Sequence, residues 1–443
     1  MSHINALPTD GMSYSPLEEK YWDPAKLQPE LDRAYDICNG CRLCFNLCPS
    51  FPALFDFLDH HENDVRKITT KESDYVVDTC FQCKVCYVKC PYTPTDGHDF
   101  QLDFPALLQR AKAVRAKSKG IALREKMLGS PDFLGKMVGP VAGLVNFAHR
   151  IPPVRWVMQL FMGLHRHKLM PKFHRQTFIK WFRKNEKRLN LNGDNGKVFY
   201  FPTCFGNYNA PDIGKAAMEV FAKNGLTVVS DYQQCCGMPA LDGGDVAKAQ
   251  RMAQENIAHL LPWVEKGYTV LALNPTCSMM MRHEYPKLVE GDAAKQVAEA
   301  VRDPMEYLNL LRKDGKFNEN FKSSPGTVNY HVPCHLRAQN IGYRSRDIMR
   351  KIEGTEIGLV TECSGHDGTW AMKKEYFKFS LKYGKKAFDG LTQNDPNLTA
   401  TDCPLAAVQF EQATGRKALH PLQVLEKAYR EDGFSTPIAH KAE

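Results

Sequence analysis

The sequence contains no run of about 18 or more apolar residues, so a membrane-spanning helix is not expected. It does not open on a basic stretch followed by an apolar one, so a secretory signal peptide is not expected either. No Gly-x-Gly-x-x-Gly occurs, which removes the usual sign of a flavin or nicotinamide site and leaves organic redox chemistry to a partner. Fifteen cysteines is an odd number, so a fully paired disulfide framework is excluded. Nor is one needed. With 443 residues, 43% hydrophobic and 24% charged, the chain can bury a large core, and general disorder is excluded. Cysteines in such a chain read as reduced thiolate ligands in a cytoplasmic protein of about three domains.

The cysteines fall into three groups. Eight lie between residues 38 and 90, in two copies of C-x2-C-x2-C-x3-C-P: Cys38, Cys41, Cys44, Cys48-Pro49, then Cys80, Cys83, Cys86, Cys90-Pro91. Three thiolates at this spacing wrap one corner of a cubane, and in two-cluster ferredoxins the fourth reaches across to the other cluster. One [4Fe-4S] cluster would then take Cys38, Cys41, Cys44 and Cys90, and a second Cys80, Cys83, Cys86 and Cys48. Two zinc sites are the alternative, but zinc usually takes separated pairs of ligands, so iron–sulfur fits better. His60 and His61, in the insertion between the runs, are expected at the surface.

Residues 110–188 carry 19 Lys and Arg against the three acids Glu125, Asp132 and Glu186, a net +16; the total of +8 leaves 8 − 16 = −8 for the rest. Apolar stretches at 137–147 and 154–164, with Trp156 and Trp181 nearby, alternate with Gly139-Pro140 and Pro152-Pro153, so short helices are expected. Such helices suit peripheral contact with an anionic membrane or docking to an acidic partner. Plain packing is the bland alternative, and no nucleic-acid motif accompanies the charge.

From about residue 197 a tandem repeat appears. Val198 to Cys204 matches Val328 to Cys334, Cys235-Cys236-Gly237 matches Cys363-Ser364-Gly365, and Asn274 to Cys277 matches the segment around Asp402-Cys403. Strands are expected at 198–201, 226–229 and 269–273, and helices at 213–223 and 246–264. This is the alternation of a small parallel α/β sheet, with the cysteines at its carboxyl edge. Repeat one offers Cys204, Cys235, Cys236 and Cys277, enough for a further iron–sulfur cluster or one zinc. Repeat two offers only Cys334, Cys363 and Cys403, leaving an open position or a fourth ligand such as His335 or His331; His335 reads better as a hydrogen-bonding residue.

Together these features resemble the iron–sulfur subunit family of anaerobic glycerol-3-phosphate dehydrogenase, within the wider heterodisulfide reductase-related group. Cys235-Cys236-Gly237, Cys363-Ser364-Gly365, Pro275-Thr276-Cys277 and Asp402-Cys403-Pro404 carry the likeness. The resemblance implies electron transfer from a flavin-containing dehydrogenase toward a membrane quinone or similar acceptor, with metal or a cluster bound in the repeats. Met280, Ala406 and Ser364 stand where the fullest pattern of the group has cysteine, which weighs against a five-thiolate cluster and heterodisulfide reduction.

The expected architecture is α/β with an α-helical N-terminal part: an extension (1–29), a two-cluster ferredoxin-like domain (30–109), a basic helical connector (110–196) and two cysteine-rich α/β repeats (197–325 and 326–443). The expected role is an electron-relay protein of an oxidoreductase complex, in the cytoplasm or peripheral on the inner face of the cell membrane. A thiol/disulfide oxidoreductase acting at the C-terminal cysteines is the alternative.

Overall fold

The computed structural model describes residues 4–438. The N-terminal part is helical: α1 (Pro24–Cys41), α2 (Ser50–His60), α3 (Thr70–Thr79), α4 (Val85–Lys89) and α5 (Phe104–Lys119). Local chemistry sets these helices. Asp23 accepts from Ala25 N–H ahead of α1, Thr69 and Glu72 form a capping box on α3, and Asp103 caps α5. Each cysteine run contains a residue forced into the left-handed region just after its second cysteine, Arg42 (φ 49°) and Lys84 (φ 59°). That costly reversal turns the third cysteine of each run back toward the first two. His60 and His61 turn to their own neighbourhood, the first to Asp56 O (2.6 Å) and the second to Glu72 (3.1 Å).

The connector forms five short helices, α6 (Leu123–Leu128), α7 (Pro131–Val138), α8 (Ala142–Ala148), α9 (Pro152–Met162) and α10 (Phe178–Asn185). The expected start of the connector at residue 110 falls inside α5, which runs unbroken to Lys119. Arg110 is fully buried and donates to the carbonyls of Tyr21 and Gly11, so this stretch belongs to the N-terminal core and not to a linker.

Repeat one runs β1 (Lys197–Phe201), α11 (Thr203–Tyr208), α12 (Pro211–Lys223), β2 (Thr227–Val229), α13 (Met238–Asp242), α14 (Val246–Glu265), β3 (Thr269–Ala272), α15 (Pro275–Met279), α16 (Tyr285–Leu288), α17 (Asp292–Ala300), β4 (Val301–Arg302) and α18 (Pro304–Lys313). Repeat two runs β5 (Ser323–Ser324), β6 (Thr327–His331), α19 (Cys334–Ala338), α20 (Arg344–Met349), β7 (Glu356–Val360), α21 (Phe377–Thr392), β8 (Leu398–Thr401), α22 (Pro404–Thr414), α23 (Pro421–Ala428) and β9 (Thr436–Pro437).

Both main sheets are parallel, in the orders β2-β1-β3-β4 and β7-β6-β8. In each repeat the first main strand is central. Val198 lies opposite Val228 and Thr269, and its counterpart Val328 lies opposite Ile357 and Leu398. Val198 to Phe201 are all buried on both faces, as helix-covered parallel strands require. The repeats share one core, which joins Val198, Tyr200 and Leu226 to Val328, Tyr330 and Leu425. Trp370 and Ala371, from the loop before α21, are built into the N-terminal helical core.

A buried ion pair ties the N-terminal segment to α1. Arg33 Nη2 lies 2.6 Å from Glu30 Oε2, and neither side chain is exposed. Arg33 also donates to Ala6 O and Phe100 O, and Glu30 accepts from Thr9 N–H. Removing one partner strands the other charge, so Glu30→Ala is expected to cost about 3–5 kcal/mol in denaturant unfolding. A loss under about 1 kcal/mol would show that water reaches the arginine.

Candidate metal centres

Two cavities in the N-terminal part are lined with sulfur. Cys38, Cys41, Cys44 and Cys90 line one, together with Phe51, Phe55 and Tyr92. Cys48, Cys80, Cys83 and Cys86 line the other, together with Phe51, Phe81 and Phe104. Each takes three cysteines from one run and the fourth from the other, and Phe51 is a common wall. Burial raises the Cys38 thiol, and Cys44, Cys90 and Cys41 raise it further; burial and then Cys80 and Cys48 do the same to Cys86. Thiols that oppose one another's ionisation in a buried space fit a site built for cationic iron, which makes the thiolates stable.

Among the described residues, no three Cys, His, Asp or Glu side chains converge closely enough to hold a single metal ion. The first cavity is near the surface: Cys41 is exposed, and so are Leu43 and Phe45. All four cysteines of the second are buried. Gln82 Nε2 donates to Cys80 Sγ at 3.6 Å, the kind of contact that tunes a cluster potential.

In repeat two, Cys334 follows β6, Cys363 follows β7 and Cys403 follows β8, so all three stand at the carboxyl edge of the sheet. Cys334 and Cys363 pack against the N-terminal core, and both raise the Cys83 thiol after burial does. Repeat two therefore faces the second cavity. Neither histidine considered as a fourth ligand is free. His331 uses Nδ1 on Thr401 Oγ1 and Nε2 on Glu362 O, both 3.1 Å. His335 uses Nδ1 on Thr276 Oγ1 (2.9 Å) and Nε2 on Gln82 O (3.1 Å). Burial lowers them to about 3 and about 4, so both are neutral at pH 7, one nitrogen donating and the other accepting. His335 thus pins repeat two to repeat one and to the loop between Cys80 and Cys83.

In repeat one, Cys204, Cys235, Cys236 and Cys277 form a chain of adjacent thiols. Cys204 and Cys236 donate toward Cys235, which lowers Cys235 and raises the other two. The neighbouring pair turns inward because Gly237 adopts φ 95° and the loop is held by its carbonyls: Asn256 donates to Cys235 O and Tyr285 to Cys236 O. Sequence reasoning missed a further partner. Asp132 of α7 accepts from Cys235 N–H (2.6 Å) and from the Tyr232 hydroxyl (2.5 Å). Burial, then the Cys235 charge, lifts its carboxyl to about 6. Its one signal in the sequence is rarity, as one of three acids in a strongly basic segment.

The connector presents the molecule's apolar surface. Of nineteen exposed large apolar side chains among the described residues, eleven fall between 123 and 169, including Leu144 (69% exposed), Leu160 (71%) and Phe161 (79%). Trp156 is exposed beneath the Arg166 guanidinium, whereas Trp181 packs on the repeat core. Arg155 is buried and holds the carbonyls of His165, Arg166 and Lys168. Among the described residues no helix is long and apolar enough to cross a membrane.

Comparison with known proteins agrees with this layout. The cysteine-rich (CCG) domain profile matches residues 198–282 and 328–411, and the citrate utilization protein B Fer4-like domain profile matches residues 31–119. A subunit of the anaerobic glycerol-3-phosphate dehydrogenase of Escherichia coli (strain K12) is 30% identical over 73% of this chain and 81% of its own length. A subunit of the fumarate reductase (CoM/CoB) of Methanothermobacter marburgensis is 25% identical over 53% of this chain and 47% of its own. Lactate utilization protein A of Bacillus thuringiensis is 27% identical over 40% of this chain and 75% of its own.

Lys84, which lines the second cavity, braces it against repeat one by pairing with Glu284. Burial pushes the Glu284 carboxyl up, but Lys287 and Lys84 outweigh it and hold it at about 2, below the ordinary 4.5. A depressed carboxylate stabilises fully above its unfolded value and loses that contribution as pH falls through its folded one. Glu284→Gln is therefore expected to cost up to roughly 3 kcal/mol at pH 7. The gap to wild type in denaturant melts should shrink below pH 4.5 and close near 2; a gap independent of pH would mean that packing, not charge, is lost.

Proposed function

The chain belongs to the same family as the anaerobic glycerol-3-phosphate dehydrogenase subunit of Escherichia coli, and we propose that it is the iron–sulfur electron relay of an oxidoreductase complex. In this reading it receives electrons from a flavin-containing, glycerol-3-phosphate dehydrogenase-like partner and passes them toward a membrane quinone or similar acceptor. The carrying observation is the crossed grouping of eight cysteines into two cavities with a common wall, the inner one facing the thiols of repeat two.

When bound, [4Fe-4S] clusters supply one-electron chemistry. The chain supplies everything else. Cys38, Cys41, Cys44 and Cys90 would hold the outer cluster, where exposed Leu43 and Phe45 offer the partner an apolar contact. Cys80, Cys83, Cys86 and Cys48 would hold the inner one, sealed from water by Phe51, Phe81 and Phe104. The cysteines of both repeats would hold further iron–sulfur centres. A disulfide substrate is a poorer reading, because Cys235 and Cys236 are each only 1% exposed.

The connector's surface supports peripheral attachment to the cytoplasmic face of the membrane. Exposed Phe133, Leu144, Phe147, Trp156, Leu160 and Phe161 can enter the interface while the surrounding Lys and Arg meet anionic headgroups.

Anaerobically purified protein is expected to be brown and to give reducible cluster signals in an EPR titration; no such signal, with iron below about four atoms per chain, would sink the relay. The protein should sediment with anionic liposomes at low salt and be released by high salt, and Leu160→Ser with Phe161→Ser should weaken that binding about tenfold or more. Sedimentation indifferent to both salt and these substitutions would remove the anchor.

A further inference from the structure

The two repeats finish the same edge of their sheets differently. In each, the second main strand stands outermost, β2 in repeat one and β7 in repeat two. The chain covers β2 with its own residues 191–195, laid antiparallel along it. Asn192 bridges Thr227, Leu191 O accepts from Val228 N–H, and Thr227 Oγ1 donates to Gly193 O. The equivalent segment ahead of β6 is used elsewhere, as β5, which pairs with β9. Among the described residues β7 therefore pairs with β6 alone. An open groove runs between its free edge and α21, lined by Gly358, Leu359, Lys386 and Asp389. A strand edge left open is a template for another strand, and proteins usually blunt one with charge, proline or shortness. β7 is five residues long, contains no proline, and has its one charge, Glu356, at its start.

We propose that this edge is the interface with a second copy of the chain, the two β7 strands joining antiparallel about a two-fold axis at Gly358 to make one continuous sheet. Pairing about Gly358 sets Ile357 against Leu359 of the second copy, twice, as apolar cross-strand pairs on one face. Ile357 already packs on the repeat core, whereas Leu359 is 37% exposed and gains cover. The other face of the edge is bare at its centre. A Cβ at Gly358 would lie 2.3 Å from Asn329 Oδ1, and Asn329 is fixed there by donating to Gly390 O and Gln393 O. Two copies of α21 can approach over that gap. Lys386 and Asp389 stand exposed about one turn apart on α21 with opposite charges, so a two-fold sets the lysine of each copy against the aspartate of the other. A two-fold interface must be complementary to itself. This edge is so in backbone, apolar pairing and charge, whereas an extended segment of a different protein would use the backbone groups and require neither of the others. The inference is independent of the relay reading.

The test is sedimentation equilibrium of the full-length protein, prepared under argon, over a concentration series reaching about 100 μM. Wild type should be a dimer. Leu359→Lys puts a charge into the apolar cross-strand pair and should raise the dissociation constant about tenfold or more. Lys386→Asp sets acid against acid and should weaken the dimer as well. Combining Lys386→Asp with Asp389→Lys should restore it, because the two-fold brings these positions together. Unchanged circular dichroism reports an intact fold in each variant. A wild type that stays monomeric, a dimer indifferent to Leu359→Lys, or a charge swap that restores nothing would overturn the interface.

Discussion

Sulfur held close to sulfur, out of water, is the constraint on which this molecule is built. Burial opposes ionisation of thiols in the two N-terminal cavities and of Cys334 in repeat two, and neighbouring thiols add to it, while in repeat one Cys204 and Cys236 donate to a single favoured thiolate at Cys235. An uncharged set of thiols is of no use as a ligand set, and a charged one is unstable without cations. The folded chain is therefore a scaffold that accepts iron. Much of its polar chemistry is second to that: N–H groups aimed at sulfur, as from Gln82 and Gly365, and His331 and His335 held neutral near Cys334.

The same constraint explains how the parts are joined. His335 hydrogen-bonds to Thr276 of repeat one and Gln82 of the N-terminal part, Lys84 pairs with Glu284, and Trp370 enters the N-terminal core. Each contact is made by a residue within a few positions of a cysteine or by a side chain that meets one. A sulfur site assembled from several elements loses its geometry if any element shifts, so the joints concentrate there. The connector adds a link of a different kind. Its α7 places Asp132 on the Cys235 backbone and also carries exposed Phe133 and Met137, so one short helix touches both the repeat-one thiols and the apolar surface.

Spacing makes a good deal of this readable in advance. Three cysteines of each run line one cavity because residues that close in sequence stay close in space, whereas the fourth of each run, Cys48 or Cys90, lines the cavity of the other run. The strands of repeat one stand within a residue of the apolar runs at 198–201, 226–229 and 269–273, because buried parallel strands need continuous apolar runs. The apolar surface of the connector is also visible in its composition. Sequence misleads where burial, not pattern, decides. Residues 110–119 read as the start of a basic connector but complete α5, its first half buried, and Trp181, close to the connector's apolar stretches in sequence, packs against the repeat core.

By itself, then, the sequence determined which residues could hold metal and which segments form sheets, since ligand spacing and hydrophobic period are local properties. Only the tertiary structure decided which sites face each other. That repeat two abuts the inner cavity, that Asp132 comes to Cys235 from 103 positions away, and that His335 is held by Thr276 and Gln82 depend on contacts between distant segments. Such contacts are selected by the packing of whole helices and sheets and by the satisfaction of buried polar groups, and neither leaves a periodic trace along the chain.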